Sequence, residues 1–502
     1  MKGLLENDSY DQTLINHVHP SDWENPSPSE PYNLVVIGGG SAGLISAAGA
    51  AGLGAKVALI EGELLGGDCL NFGCVPSKAL IRASRAIANA RELHQFGGIK
   101  TEITVDFAKV MERMRRLRSE ISHHDSARRF SDLGIDVYIG HGQFCGNNKI
   151  DVGGQTLTFK KAIIATGAKA FVPPIPGIFE TNYKTNETLF ALTKLPKKIA
   201  IIGAGPIGCE LAQSFARFGS QVFLIQIGPQ ILGREDRDAA DIVQASMEKD
   251  GVIILVNTST KSIIEDESGF TLVIEQDNTT QNLKVDELLV ATGRRPNVNS
   301  LNAEAAGVQL DKRKGIVVNN NLQSSNSDIY AAGDCCSAFQ FTHAADAYAR
   351  IAIQNALFID SKKTNDLVIP FATYTSPEIA HVGYYPKEAE EAGYKIDTFT
   401  TYFKDLDRAI LDGETEGFLK VHLKKDSDKI LGATLVGSHA GDLLAEITFA
   451  MTHDMGFGTI AATIHPYPTQ SEIVKRAADA YNRTRLTSFV SGAMEKYFSW
   501  RR

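Results

Sequence analysis

The sequence predicts an α/β protein carrying two Rossmann-like dinucleotide-binding folds, and three observations say so. A short apolar strand at 33–37 runs straight into GGGSAG, which puts Gly38, Gly40 and Gly43 at G-x-G-x-x-G spacing. A helical stretch to about Leu53, a strand at 56–60 and an acid complete the unit, with Glu61 eighteen residues after Gly43 (61 − 43). The glycine motif alone is weak, whereas strand, glycines, helix, strand and acid in this order are specific. The same unit recurs in KKIAIIGAGPIGCELAQSF, with Gly203, Gly205 and Gly208, a strand at 221–225, and Gln226 in the matching slot (226 − 208 = 18). An internal repeat of this kind decides the architecture. The chain has 502 residues, room for about three domains of ordinary size.

Composition removes several classes of function. A net charge of −8 leaves no bulk footprint for nucleic acid. Six cysteines in so long a chain are too few for a secreted disulfide scaffold. MKGLLENDSY has no long apolar run of a secretory signal, and no stretch of eighteen apolar residues suggests a membrane span. A reducing cytoplasm is therefore the expected location. Residues 1–31, with Pro20, Pro26, Pro28 and Pro31, read as a polar tail or strap. His17 and His19 lie in it without a further histidine or a cysteine nearby, so no metal site is expected. The run ERMRRLRSEISHHDSARR, within a helical region at 106–133, reads as a solvated face.

The stretch GGDCLNFGCVPSKAL, 66–80, carries the chemistry. Cys69 and Cys74 are five positions apart, and on a regular helix their Cα atoms would stand roughly 8–9 Å apart. That exceeds the roughly 7 Å a disulfide can bridge. The pair therefore needs an irregular turn, for which Gly66, Gly67 and Gly73 supply the freedom. Pro76 suits a first helical turn, where its missing N–H costs nothing. Cys74 near a helix start with Lys78 one turn on favours a thiolate. These are redox-active cysteines.

C-x4-C followed by V-P-S-K, with both glycine motifs, resembles the pyridine nucleotide–disulfide oxidoreductases from about Tyr32 onward, and most closely the mercuric-reductase-like and dihydrolipoamide-dehydrogenase-like members. The resemblance implies an FAD domain at 32–167 and 287–362, interrupted by an NAD(P) domain at 168–286. A C-terminal α+β dimerisation domain follows at 369–502, with strands and then a helix from Gly441 onward, so a homodimer is expected. The two ATG segments, at 165–167 and 291–293, would mark where the chain leaves and re-enters the FAD domain. Gly38, Gly40, Gly43 and Glu61 would take the ADP half of FAD, with Gly293 and Asp334 serving the same cofactor and Asp334 placed at a helix N-terminus. Glu210 would pair with Lys78 beside the flavin. Electrons would pass from NAD(P)H to FAD, then to the Cys69–Cys74 disulfide, then to an acceptor. Cys74 would face the flavin and Cys69 would be the interchange thiol. Gln226 lacks the carboxylate of an NAD ribose site and would not repel a 2′-phosphate, which Arg234 could attract, so NADPH is favoured over NADH. The family's arginine after this slot is absent, since Ile227 stands there.

HPYPTQSE, 465–472, departs from the family. Disulfide reductases carry a histidine acid/base before Pro-Thr, oriented by the glutamate; here the position is Tyr467, with Glu472 retained and His465 two residues earlier. Across the dimer Tyr467 and Glu472 would line the substrate side. A tyrosine of pKa about 10 is a poor proton shuttle at neutral pH. Mercuric reductases carry a tyrosine here but also a C-terminal cysteine pair, whereas this chain ends YFSWRR. Cys335 and Cys336 are adjacent and read as small packed residues. A mercuric-reductase-like metal-ion reductase is favoured, ahead of a reductase of a small disulfide or quinone and of a flavoprotein redox sensor or complex subunit. Phe489, Val490, Ala493, Met494, Tyr497 and Phe498 form the apolar side of a C-terminal helix. Packing on the chain's own dimerisation domain is its first reading, and weak contact with a membrane surface is its second.

Overall fold

The computed structural model describes residues 3–28, 31–99 and 102–502. The chain forms two compact units, Met1–Pro229 with Gly251–Asp366, and Gln230–Asp250 with Leu367–Arg502. In the first, a parallel core runs in the order Asp136–Ile139, Val57–Glu61, Tyr32–Ile37, Gln155–Ile164, with Ile329–Ala331 also pairing the long strand Gln155–Ile164. The register sets Leu34 against Val57 and Tyr32 against Phe159. Leu34, Val35 and Val36 are fully buried, as successive residues of a parallel strand covered on both faces must be. The antiparallel strands Lys149–Val152 and Gly142–Gly146 extend this sheet.

A second parallel sheet of the same unit has the order Val252–Leu255, Gln221–Ile225, Lys198–Ile202, Glu287–Val290. The helix Pro206–Phe218 starts with Pro206 in its first turn and stops at Gly219, whose φ of +114° an L side chain rarely takes. A short antiparallel pair, Ala168–Ala170 with Arg294–Pro296, joins the two ATG segments where the chain crosses between the sheets. In the second unit five strands form an antiparallel sheet, Phe371–Thr373, Glu378–Gly383, Ile430–Gly437, Phe418–Lys424, Ile396–Tyr402. Ala433, Leu435, Val421 and Leu419 fill the core on it together with Ile473, Val474 and Ala477 of the helix Glu472–Thr484.

Three expectations change. The N-terminal segment, expected as a tail or strap, contains a helix: Asp8 caps Ser9–Val18 by accepting from the N–H groups of Tyr10 and Asp11. The charged run is only partly a solvated face, because Arg115 and Arg118 of the helix Phe107–Ser122 are buried against that segment, paired with Asp8 and Asp11. The helix expected from Gly441 is two short ones, Ala440–Leu443 and Ala445–Thr452. The terminal helix Ser488–Arg501 forms, but none of its residues is buried within the protomer. Among the described residues no helix is long and apolar enough to cross a membrane, and no cluster of three His, Cys, Asp or Glu side chains is placed to hold a metal ion.

Candidate active site

Both glycine loops adopt the same lock. Gly38 and Gly203 have φ of +107° and +103°, and a Cβ on either would lie 2.3 Å from the Ala165 carbonyl oxygen or 2.4 Å from that of Ala291. A Cβ on Gly43 would stand 1.7 Å from the Gly38 carbonyl oxygen, and one on Gly208 1.9 Å from that of Gly203. Only glycine permits these approaches. The helices Ser41–Gly52 and Pro206–Phe218 start at Gly40 and Gly205 with no side-chain cap, which leaves their first N–H groups free to face an anion. At the strand ends, Glu61 accepts from the Gly39 and Glu63 N–H groups, both at 2.6 Å, and Gln226 Oε1 accepts from Ala204 N–H at 3.1 Å. Beside Gly38, the buried Thr166 hydroxyl has no hydrogen-bond partner among the described residues. Two glycine cradles and a waiting hydroxyl fit dinucleotide cofactors.

The cysteines sit at a break between two helices. The short helix Gly67–Asn71 starts at Gly66, φ +84°, and holds Cys69; the helix Cys74–Arg91 then begins at Cys74 itself. Both are free thiols, Cys69 half-buried and Cys74 exposed. A hydrogen bond from the Cys69 thiol is the largest influence on Cys74, followed in the same direction by the Thr342 hydroxyl, 3.5 Å from its sulfur, and by the Lys78 ammonium. Together they outweigh burial and bring Cys74 down to about 6. The same bond, with burial, pushes Cys69 well above an ordinary thiol. At neutral pH the pair is a Cys74 thiolate beside a Cys69 thiol.

Lys78 Nζ lies 2.7 Å from Glu210 Oε2, so the cysteine helix is tied to the helix of the second glycine loop. Asp68, next to Cys69, accepts from Arg294 Nη1 at 3.0 Å and from Asn186 Nδ2 at 2.8 Å. Arg294 Nε is 3.6 Å from Asp334 Oδ2. Asp334 stands in the turn after the strand Ile329–Ala331, and the next helix begins only at Thr342, so it is not at a helix N-terminus as expected. Gly293, φ +116°, accepts through its carbonyl from Phe171 N–H at 2.8 Å. Cys335 is buried and Cys336 half-buried, with their sulfurs near the carbonyls of Ala332 and Gly333, as packed residues would be. Sequence reading missed Thr342 and Arg294. Thr342 is 268 positions from Cys74, and no local pattern links them.

In the second unit, Tyr467 is exposed and donates its hydroxyl to Asp407 Oδ2 at 2.9 Å, a bond that raises its pKa further. Glu472 opens the helix Glu472–Thr484, and its Oε2 is buried without a partner among the described residues. His465 is held by Glu446 at 3.0 Å. Arg234 lies over the Phe371 ring, 5.5 Å from its centroid.

The family model described as pyridine nucleotide-disulphide oxidoreductase matches residues 32–349, and its dimerisation-domain model matches 369–478. A mercuric reductase of Bacillus cereus is 34% identical over 460 residues, covering 91% of this chain and 73% of that protein. A dihydrolipoyl dehydrogenase of Bacillus subtilis is 33% identical, covering 89% of this chain and 96% of its own. The solved HOCl-induced flavoprotein disulfide reductase RclA of Escherichia coli is similar with a TM-score of 0.80 at 29% identity, covering 89% of this chain and 99% of its own, and a second solved structure is its Cu(II) complex. Glycine cradles in duplicate, a thiolate–thiol pair and a C-terminal dimerisation domain converge with these matches: the chain belongs to the pyridine nucleotide-disulphide oxidoreductases, enzymes that use FAD and NAD(P)H.

Proposed function

We propose that the enzyme is a metal-ion reductase of the mercuric-reductase kind, with Cys69 and Cys74 as the group that meets the ion. Tyr467 carries the proposal. A dithiol that reduces a disulfide must hand a proton to the leaving thiol, and a tyrosine whose hydroxyl is committed to Asp407 cannot exchange one near neutral pH. Reduction of Hg(II) needs no such proton. The coenzyme hydride supplies two electrons, the ion takes both, and one proton returns to solvent. FAD, when bound, supplies the two-electron carrier between coenzyme and cysteines. The chain's own part is to present soft thiolate ligands at a partly exposed site, with Cys74 already deprotonated and Lys78 kept beside it by Glu210. The mercuric reductase and the Cu(II)-bound neighbour support the same acceptor class.

The neutral Gln226 supports NADPH as the better coenzyme. Steady-state oxidation of NADPH and NADH with Hg(II), Cu(II), oxidised glutathione, lipoamide and quinones is the test. The ions should give the highest kcat/KM, and Tyr467→His should raise disulfide turnover. A disulfide or quinone that outruns both ions removes this reading, and absence of sustained turnover with every acceptor leaves a redox sensor. A lipid quinone has one supporting feature, the exposed terminal helix, where Phe489 and Trp500 accompany Lys496, Arg501 and Arg502. Failure to sediment with anionic liposomes at low salt would eliminate that route.

A further inference from the structure

A side-chain relay runs from the N-terminal segment into the middle of the cysteine loop. Arg118 is fully buried; its Nη1 donates to the Asn71 carbonyl at 2.8 Å and its Nη2 to Asp11 Oδ1 at 2.5 Å. Asn71 stands two residues after Cys69 and three before Cys74 (71 − 69, 74 − 71). Its own side-chain amide donates to the carbonyls of Leu65 and Gly67, at 3.0 and 2.8 Å, so the turn is gripped from two directions. The second Asp11 oxygen accepts from Leu5 N–H at 2.9 Å. The segment around Asp11 is itself pinned along its length. Arg115 pairs with Asp8 at 2.8 Å, His17 Nδ1 meets the Ser122 hydroxyl at 2.8 Å, and Val18 accepts from Leu65 N–H at 3.1 Å. Further on, Trp23 donates to the Val137 carbonyl at 3.1 Å, and the Asn25 amide makes two bonds with the backbone of Ile139 on the same edge strand.

We propose that this segment buttresses the redox pair, with Asp11 acting through Arg118 as a positioning residue that fixes the Asn71 carbonyl and so holds the sulfurs of Cys69 and Cys74 together. A buried guanidinium keeps one orientation only while its charge is matched, and Asp11 is the carboxylate that matches it. With the carbonyl held, the two thiols face each other at high effective concentration, which favours the disulfide. With it released, the turn gains freedom and the dithiol is favoured. The inference rests on Cys69 and Cys74 being the working redox pair, as the family assignment implies.

The test uses the full-length holoenzyme, as wild type, Asp11→Ala, Arg118→Lys and the paired Asp11→Leu/Arg118→Met. Each is equilibrated in dithiothreitol redox buffers, alkylated, and read by peptide-resolved mass spectrometry at Cys69 and Cys74, with the thermal midpoint measured alongside. The single variants should lose disulfide by about tenfold in the equilibrium constant, about 30 mV for a two-electron couple. The paired variant replaces the ion pair with apolar side chains and should regain thermal stability. Its equilibrium constant should stay shifted, because the Asn71 carbonyl still lacks its donor. That split is what a merely structural ion pair would not show. A stable paired variant with the wild-type constant overturns the proposal, as does an unshifted Arg118→Lys. A wild type whose cysteines take up no electron pair refutes the redox reading instead, a separate result.

Discussion

The two glycine loops of the first unit agree in backbone and differ in charge. Gly38 and Gly203 share φ to within 4° (107 − 103), and a Cβ on Gly43 or Gly208 would stand only 1.7 or 1.9 Å from the carbonyl oxygen of Gly38 or Gly203. At the strand ends the likeness stops. Glu61, an acid, takes two backbone N–H groups at 2.6 Å, whereas the amide Gln226 takes one at 3.1 Å. A second difference lies in the helices that follow. The second carries Glu210, bonded to Lys78 of the cysteine helix, while the first, Ser41 to Gly52, holds only apolar residues, glycines and serines and no charge. The backbone lock is thus the same in both loops, and side chains set them apart: an acid against an amide at the strand end, and a tie to the cysteine helix in the second only.

The largest expected effects fall on the lock. Gly43→Ala and Gly208→Ala each drive a methyl group into a backbone carbonyl, a strain of about 1–3 kcal/mol at either loop. Gly43→Ala should purify depleted of flavin. Gly208→Ala should keep its flavin absorbance and lose reduction by NADPH, and loss of flavin from both would break the assignment of separate sites. Next comes the strand-end slot. Gln226→Glu adds a ribose acceptor and repels a 2′-phosphate, which should move the kcat/KM ratio towards NADH by roughly 1–2 kcal/mol; an unchanged ratio would mean the phosphate is read elsewhere.

A smaller effect is expected from the tie to the cysteine helix. Glu210→Gln removes the counter-charge of Lys78, whose ammonium should then draw more strongly on Cys74. The pH midpoint for alkylating Cys74 should fall below that of the wild type, whose Cys74 is already lowered by Cys69, Thr342 and Lys78. A rise would show that Glu210 places Lys78 rather than competes for it. The smallest effect concerns Glu61. Burial raises its carboxyl, with the Gly39 and Glu63 N–H groups opposing. A raised acid stabilises the fold below its unfolded pKa of about 4.3, and that contribution is lost as pH rises through the folded value. Thermal midpoints of wild type should therefore drop relative to Glu61→Gln across that window, and parallel profiles would show that the N–H bonds cancel the burial.

Legibility of the site follows sequence distance. The glycines, Glu61, Gln226 and the Cys69–Cys74 spacing could be read because each answers to a local need: an approach to backbone, a strand end, a turn between helices. The pairing of Lys78 with Glu210, 132 positions apart, was reached only through the family resemblance, and the 2.7 Å contact shows the two helices meeting. Thr342 and Arg294 were not legible. A lone threonine or arginine has no pattern of its own, and its place beside Cys74 or Asp68 depends on where a distant helix or strand ends.

Sequence by itself determined the two glycine-loop folds and the irregular turn between Cys69 and Cys74, since glycine geometry and i, i+5 spacing constrain the backbone whatever surrounds them. Tertiary structure alone decided the state of the side chains. Arg115 and Arg118 looked like part of a solvated charged face, yet both are buried because Asp8 and Asp11, over 100 positions away, neutralise them there. Tyr467 could be recognised as a departure, but only the fold aims its hydroxyl at Asp407 and leaves a Glu472 oxygen buried and unpartnered among the described residues. For the two arginines the physical reason is plain: a charge is cheap in a dry place only when a partner arrives with it, and partners arrive by folding.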